Sequence, residues 1–158
     1  MIREFSAGAV VVRRMKNRWF LAVIEPGRDG EPDERKDVTA LPKGNVDAGE
    51  KPQETALREV REETGITAEP VAKLADIKYV YARKWSDNAR IFKIVSFFLM
   101  KYRSGQINDV KPEMRHEVRR AYWLPLEEAA SRLSYKGEKQ MAQKALAYVL
   151  ERGLRSAR

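Results

Sequence analysis

The chain opens with two runs of β-branched and aromatic residues. "SAGAVVVRR" begins at Ser6 and "RWFLAVIEP" begins at Arg18, with the polar "MKN" between them. Such runs, separated by a short polar connection, predict two strands joined in a hairpin. Gly8, inside the first run, indicates a bulge or a close approach of another part of the backbone. Pro26 to Asp37 is rich in proline, glycine and charge, and we expect a mobile surface loop there.

At Pro52 the pattern changes to helical spacing. Proline suits a first helical position, and Gly65 suits the stop after the last one. The less polar side chains between them fall on one stripe of a helical wheel: Ala56, Leu57, Val60 and Thr64. The pattern predicts a helix from about Pro52 to Thr64.

The second half of the chain reads as strands followed by helices. "VAKLADIKYVYA" and "RIFKIVSFFLMKY" are typical of strands, "SGQINDVKPEMRH" of a loop, and "EVRRAYWLPL" of a last short strand. "PLEEAASRL" and "GEKQMAQKALAYVLERG" have helical spacing, and the second closes at Gly153. This order predicts an α/β fold with one mixed sheet covered on both faces, and we expect one domain over residues 1–158.

Composition narrows the chemistry that this chain can perform. There is no cysteine and the single histidine is His116, which excludes disulfides, thiolate nucleophiles, cysteine-ligated zinc and a histidine cluster for a transition metal. Hydrophobic residues make up 43% and charged residues 34%, a globular balance. Any catalysis must therefore depend on carboxylates, lysine, arginine and tyrosine.

Charge and hydropathy indicate the kind of partner. The start of the chain lacks an apolar signal segment, and "IVSFFLM" is too short to span a bilayer, so we expect a soluble, cytoplasmic protein without a membrane partner. Lysine and arginine number 31 against 23 acids, a net charge of +8. Such a surface is expected to attract anions such as nucleotides, polyphosphates or RNA, and no obligatory protein partner is evident.

Against this basic background, the segment "LPKGNVDAGEKPQETALREVREETGI" concentrates acids. On a helical wheel, Glu62 lies about 60° to one side of Glu59 and Glu63 about 40° to the other, so three carboxylates share one stripe. Clustered hard oxygens are what a divalent cation such as Mg²⁺ requires. The alternative is an ordinary solvated helix with salt bridges such as Arg58 to Glu62.

The spacing of this segment resembles a known family. Gly44, five residues, Glu50, seven residues and then "REVREETGI" from Arg58 match the Nudix box, Gx5Ex7REUxEExGU with U apolar, at every specified position. The box ends at Ile66, and the flanking strands with "HEVRRAYWLPLEEA" extend the resemblance over most of the chain.

The resemblance implies a fold and a chemistry. Nudix proteins are α/β/α sandwiches with a mixed sheet, the box helix on one face and C-terminal helices on the other. Most hydrolyse a diphosphate linked to a nucleoside or another group and use Mg²⁺ or Mn²⁺. By resemblance, the metal ligands are Glu59, Glu62, Glu63 and the Gly44 carbonyl, and Arg58 pairs with Glu50. Which carboxylate acts as the general base stays open.

Many Nudix enzymes use one more acidic residue from beyond the box, and Glu117 is the candidate here. The "HE" and "WLPLEEA" arrangement resembles the diadenosine polyphosphate hydrolase branch. Glu117 is therefore expected to be a metal ligand or base, and the alternative is a strand-edge glutamate paired with Arg119 or Arg120. His116 is interpreted as a loop or substrate-contact residue.

Substrate-binding candidates surround the box. "LPKG" resembles the dinucleoside polyphosphate and diphosphoinositol polyphosphate hydrolases, so Lys43 is expected to meet a phosphate; otherwise it is a solvated loop lysine. Those relatives often carry tryptophan where this chain has Thr39. Three aromatic residues near the end of a predicted strand are candidates for base stacking, with core packing as the alternative: Tyr79, Tyr81 and Trp85. On the next strand, Arg90 and Lys93 are candidates for phosphate contact.

The sequence thus predicts metal-dependent hydrolysis of a phosphoanhydride bond in a nucleoside diphosphate linked to another group. The branch resemblance favours a dinucleoside polyphosphate such as diadenosine tetraphosphate. The alternatives are an RNA 5′-pyrophosphohydrolase or a nucleoside triphosphate pyrophosphohydrolase, because the box fixes the reaction and not the attached group. A non-catalytic, basic nucleic-acid-binding domain with the same fold is the alternative of another class, although no box carboxylate is missing.

Overall fold

The computed structural model of the 158-residue chain describes residues 2–27, 38–83 and 88–154. Most of the predicted loop from Pro26 to Asp37, and Trp85, lie outside these residues. The strands are β1 (Ile2–Met15), β2 (Arg18–Pro26), β3 (Lys43–Asn45), β4 (Thr67–Ala82), β5 (Arg90–Ser104) and β6 (Val118–Pro125). The α-helices are α1 (Pro52–Thr64), α2 (Ala129–Arg132) and α3 (Lys136–Arg152).

The described strands form one mixed sheet in the order β4-β5-β1-β2-β6. β1 and β2 form the predicted antiparallel hairpin, and Lys16 and Asn17 turn it with positive φ angles of 50° and 63°. β1 runs parallel to β5, and the short β3 pairs with β1 outside the main order. Strand β1 therefore lies at the centre, in contact with β5, β2 and β3.

Alternation along β1 divides the core between the two faces of the sheet. Ala7, Ala9 and Val11 pack on one face with Ala56 and Val60 of α1. Val10 and Val12 pack on the other face with residues of α3 that include Met141, Ala145 and Val149. The predicted α/β fold, with the box helix on one face and the C-terminal helix on the other, is confirmed.

Helix α1 spans the residues that the sequence predicts. Its first turn is capped where the Glu54 carboxylate accepts the Lys51 N–H at 2.9 Å. Its last turn closes at Gly65, whose N–H reaches the Arg61 carbonyl and whose φ of 83° favours glycine.

Three local features differ from the sequence expectations. Strand β3 was missed, because three residues without a β-branched side chain give no strand signal. The predicted loop "SGQINDVKPEMRH" contains a 3-10 turn over Pro112–His116, so Glu117 precedes β6 instead of lying at its edge. The helix predicted over "PLEEAASRL" is a 3-10 turn, Leu126–Glu128, followed by α2.

Gly8 marks a close approach, as its position in β1 suggests. A Cβ atom there would lie 2.6 Å from the Pro42 carbonyl oxygen and 2.7 Å from the Lys43 Cβ. The absence of a side chain thus lets the "LPKG" segment lie directly against the central strand.

Within residues 2–27, 38–83 and 88–154, no helix is long and apolar enough to cross a membrane. That residues 1–158 form a single domain stays a prediction.

We predict that Gly65→Ala destabilises the fold more than Gly49→Ala. Both glycines have positive φ, 83° and 85°, so each substitution costs about 1–2 kcal/mol of backbone strain. At Gly65 the new Cβ would also lie 2.8 Å from the Asp109 carbonyl carbon, whereas at Gly49 no atom of the described residues lies within 4 Å. Urea unfolding measures the difference, and equal losses would contradict this packing.

Candidate active site

Arg58 connects the box loop to the box helix. Its Nε and Nη2 atoms bind the two oxygens of Glu50 at 2.7 and 3.0 Å, and Nη2 also reaches the Asn45 carbonyl at 3.1 Å. Hydrogen bonding from Arg58 lowers the pKa of Glu50 to about 2. A bidentate pair of this kind fixes both position and orientation, so the loop from Gly44 to Glu50 is held on α1.

The same guanidinium contacts two of the three stripe carboxylates. Arg58 Nη1 lies 2.9 Å from Glu59 Oε1 and 3.2 Å from Glu62 Oε2. Glu59 also lies against Gly44, where an added Cβ would collide with its carboxylate. A side chain at position 44 would therefore displace the Glu59 carboxylate from its present position.

Glu63 is the most deeply buried carboxylate of the stripe. Only 7% of the residue is exposed, and its Oε1 accepts the Lys43 backbone N–H at 2.8 Å. Burial, with the nearby charges of Glu59 and Glu117 adding to it, raises the pKa of Glu63 to about 8. Burial likewise raises the pKa of Glu59, where Arg58 opposes and Glu62 and Glu117 reinforce the shift.

Glu117 approaches this group from another part of the chain. It ends the 3-10 turn over Pro112–His116, and its carbonyl accepts the Gly27 N–H at 2.7 Å. Its charge adds to the rise in the pKa of both Glu59 and Glu63. Arg120, one of the two partners considered for it, binds Glu25 at 2.7 Å instead.

The donor chemistry of this cluster fits a hard divalent cation. Every candidate ligand is an oxygen. Burial, reinforced by neighbouring negative charge, raises the pKa of Glu59 and Glu63, and a bound cation would favour their ionised forms. Among the described residues, however, no three Asp, Glu, His or Cys side chains already converge on one point. Arg58 engages Glu59 and Glu62, so these two side chains would have to exchange its Nη1 for an ion.

Lys43 contacts a glutamate that the sequence reasoning missed. Its Nζ lies 2.6 Å from Glu138 Oε2, and Glu138 Oε1 accepts the Leu41 N–H at 2.7 Å. The Lys43 ammonium is therefore already paired, and it is not the solvated loop lysine of the alternative interpretation. A signal for Glu138 existed, because it precedes Met141, Ala145 and Val149 on the buried stripe of α3.

A cavity of about 430 Å³ opens beside Lys43 on the α3 face. Two tyrosines with half-exposed side chains contribute to its wall, Tyr79 at 45% and Tyr135 at 40% exposure. The lining residues are Lys43, Ile77, Tyr79, Val95, Phe97, Tyr135, Gly137 and Glu138. Tyr135 was not among the sequence candidates, because it precedes α3 in a short connection without a motif.

The structure separates the remaining sequence candidates. Lys93 pairs with Tyr79 in the register of β4 and β5. It lies on the same side of β5 as Val95 and Phe97, which line the cavity. Arg90 lies an odd number of residues from Lys93, so the alternation of side chains along β5 places it on the other face of the sheet. The Tyr81 hydroxyl donates to Glu4 at 2.9 Å, outside the cavity wall.

We predict that Glu63→Gln stabilises the protein in chelator as the pH rises. The pKa of Glu63 is higher in the folded protein than in the unfolded chain, so ionisation between about pH 4.5 and pH 8 favours unfolding. Glutamine still accepts the Lys43 N–H and removes this ionisation. Thermal unfolding of both proteins at pH 5 and pH 8 measures the effect. A gap in melting temperature that does not widen toward pH 8 would contradict the burial of a carboxylate here.

Comparison with known proteins gives a consistent result. The NUDIX domain family model matches residues 3–145. A Mycobacterium tuberculosis protein named "Putative mutator protein MutT4" is 34% identical over 148 residues, 91% of this chain and 55% of its own length. The bis(5′-nucleosyl)-tetraphosphatase [asymmetrical] of Mus musculus is 35% identical over 106 residues, 65% of each chain.

A structural comparison supports the fold. A crystal structure of a C. elegans Ap4A hydrolase binary complex superposes with a TM-score of 0.68 and 23% identity, covering 94% of this chain and 98% of that one. The chain spans between 55% and 65% of the length of the two curated relatives. The family match covers most of the chain, including the box, its helix and the surrounding sheet. The chain therefore belongs to the Nudix hydrolase family.

Proposed function

We propose that this protein hydrolyses a phosphoanhydride bond in a dinucleoside polyphosphate, such as diadenosine tetraphosphate, with the help of Mg²⁺ or Mn²⁺. The single observation that carries this proposal is the position of Lys43. Its backbone N–H binds Glu63 of the carboxylate cluster, and its side chain lines the cavity with Tyr79 and Tyr135. A site for phosphate chemistry and a site for an aromatic base therefore share one residue.

The proposed roles within the carboxylate cluster follow from the contacts. Glu59, Glu62, Glu63, Glu117 and the Gly44 carbonyl would hold the cation, which would neutralise phosphate charge and lower the pKa of an attacking water. Glu50 holds Arg58, and Arg58 keeps the box loop on α1. One carboxylate of the cluster accepts the proton of the attacking water.

The cavity suits the nucleoside. Its volume lies within the range of roughly 300–1,000 Å³ that is typical of small-molecule sites. Tyr79 and Tyr135 offer two aromatic rings, and stacking of a base on an aromatic side chain is worth about 1–3 kcal/mol. Lys93 shares this face of the sheet, where we propose that it contacts the phosphate chain.

Two further facts favour a long polyanionic substrate. The net charge of +8 attracts polyphosphates in proportion to their charge. The similar mouse protein and the superposed C. elegans enzyme are both named for a dinucleoside tetraphosphate. We place the reaction in the cytoplasm and in a single domain over residues 1–158 as part of the same proposal.

A second candidate substrate is 5′-pyrophosphorylated RNA, and a groove on the opposite face favours it. This groove has a volume of about 530 Å³, and Arg3, Phe5, Asn45 and Val46 are among its lining residues. Phe5 is 50% exposed, so a base could stack on it, and Asn45 directly follows the box glycine. Asn45 thus belongs both to this groove and to the box loop that Arg58 holds on α1.

We predict that Glu63→Gln lowers kcat by at least about 10²-fold while the fold survives, the scale of losing an electrostatic or acid/base contribution. Glu54→Gln is the matched control on the same helix. Its side chain accepts the Lys51 N–H at 2.9 Å, and glutamine keeps that acceptor. The measurement is phosphate or nucleotide release with Mg²⁺ or Mn²⁺, and with excess chelator.

Two outcomes would contradict the proposed roles. Full activity of Glu63→Gln would remove Glu63 from the chemistry, and equal losses in Glu63→Gln and Glu54→Gln would indicate general damage to α1. Undiminished turnover in chelator would exclude a metal-dependent reaction.

We predict a higher kcat/KM for diadenosine tetraphosphate than for ADP-ribose or a triphosphorylated RNA oligomer. Tyr79→Leu should raise the KM for diadenosine tetraphosphate by about tenfold, the cost of roughly one lost stacking contact. Tyr148→Leu is the control, since Tyr148 contacts Arg152 and does not line the cavity.

The same comparison separates the candidates. A tenfold advantage for ADP-ribose would contradict the proposed substrate class. A tenfold advantage for the RNA oligomer, together with a loss in Phe5→Ala and none in Tyr79→Leu, would favour the second candidate. RNA retention without any product would favour a non-catalytic binding domain.

A further inference from the structure

Leu41 to Lys43 are held by two buried glutamates that reach them from opposite faces of the sheet. Glu138 of α3 accepts the Leu41 N–H at 2.7 Å, and Glu63 of α1 accepts the Lys43 N–H at 2.8 Å. Pro42 between them has no N–H, and its carbonyl accepts the Ala9 N–H at 3.2 Å. Both backbone donors of this tripeptide therefore go to carboxylates.

Glu138 holds the tripeptide by its side chain as well. Its second oxygen lies 2.6 Å from Lys43 Nζ, and only 3% of Glu138 is exposed. The Glu138 side chain is 5% exposed and that of Lys43 is 31% exposed, so losing Lys43 would leave the Glu138 carboxylate buried and without its counter-charge. Glu138 thus contacts both the Leu41 backbone and the Lys43 side chain. These two groups lie on either side of the Pro42–Lys43 peptide, whose N–H donates to Glu63.

We propose that Glu138 is a positioning residue for Glu63, which it orients through Lys43. The inference rests on the proposed function only in that Glu63 takes part in the reaction. Glu138 lies on α3 and outside the Nudix box, so the C-terminal helix helps to set the geometry of the box helix. The connection runs from Glu138 to Lys43 Nζ, and from the Lys43 N–H to Glu63 Oε1.

The substitution Glu138→Gln separates the two contacts of Glu138. The carbonyl oxygen of glutamine can still accept the Leu41 N–H, but its amide NH₂ is a donor and cannot bind the Lys43 ammonium. The Lys43 side chain then loses its ion pair with residue 138. Its peptide is still held at the Pro42 carbonyl by the Ala9 N–H, but its N–H is expected to shift relative to Glu63. A conservative change at a buried position on α3 is therefore expected to misorient a carboxylate on α1.

Kinetics of a double-mutant cycle test this connection. Glu138→Gln is expected to lower kcat by about tenfold, the lower end of the range for residues that orient a ligand or catalytic group, with KM changed less than about threefold. Glu138→Gln combined with Glu63→Gln is expected to be no slower than Glu63→Gln alone, because both remove the same contribution. Full additivity of the two losses would overturn the proposal.

A second measurement does not depend on turnover. The Lys43 backbone amide is expected to shift in the NMR spectrum and to exchange its hydrogen at least about tenfold faster in Glu138→Gln, since its hydrogen bond to Glu63 loosens. Glu69→Gln is the control, because it breaks another glutamate–lysine pair, with Lys101 at 3.4 Å. An unchanged Lys43 amide in Glu138→Gln would overturn the proposal.

The two readouts distinguish failure of this inference from failure of the proposed function. If Glu63→Gln keeps full activity, the proposed catalytic role fails, and the amide measurement alone decides whether Glu138 positions Glu63. If Glu138→Gln does not fold, Glu138→Gln combined with Lys43→Met also removes the lysine charge that the single substitution leaves without its partner, and this double variant is expected to fold. Its residue 43 amide is expected to exchange faster than in the wild-type protein, and wild-type exchange there would overturn the proposal.

Discussion

The bidentate pair between Arg58 and Glu50 is the interaction on which the site depends. It ties the loop that carries Gly44 to helix α1, and its remaining guanidinium nitrogen contacts Glu59 and Glu62. Without that tie, the Glu59 carboxylate would have no fixed surface at Gly44 to lie against. The Arg58 guanidinium thus holds together acidic side chains that would otherwise repel one another on the same stripe of α1.

The central strand β1 brings the two halves of the proposed site together. Gly8 lets the segment from Pro42 to Gly44 lie directly on β1, between the face covered by α1 and the face covered by α3. From there, Lys43 reaches Glu63 with its backbone and Glu138 with its side chain. The carboxylate cluster and the base-sized cavity are neighbours because this short segment passes from one to the other.

The sequence was sufficient for the fold and for the box, because both leave periodic or fixed-spacing signals. Pro52, the apolar stripe and Gly65 define α1 to the residue. It was insufficient for the partners of Glu138 and Tyr135, because these contacts join residues almost 100 positions apart in the chain. The apolar stripe of α3 indicates that Glu138 is buried, but not what it binds. Arg90 and Lys93 show a related limit, since only the strand register determines which of them shares the face of the cavity.

The central claim is that the box carboxylates bind a divalent cation beside a cavity that holds a nucleoside base. The most direct measurement is a crystal structure with Mn²⁺ and a non-hydrolysable dinucleoside tetraphosphate, using anomalous scattering to locate the metal. The account predicts a manganese peak within about 2.5 Å of carboxylate oxygens of Glu59, Glu62 or Glu63, with one base between Tyr79 and Tyr135. A metal bound away from α1, or both bases outside the cavity, would contradict it.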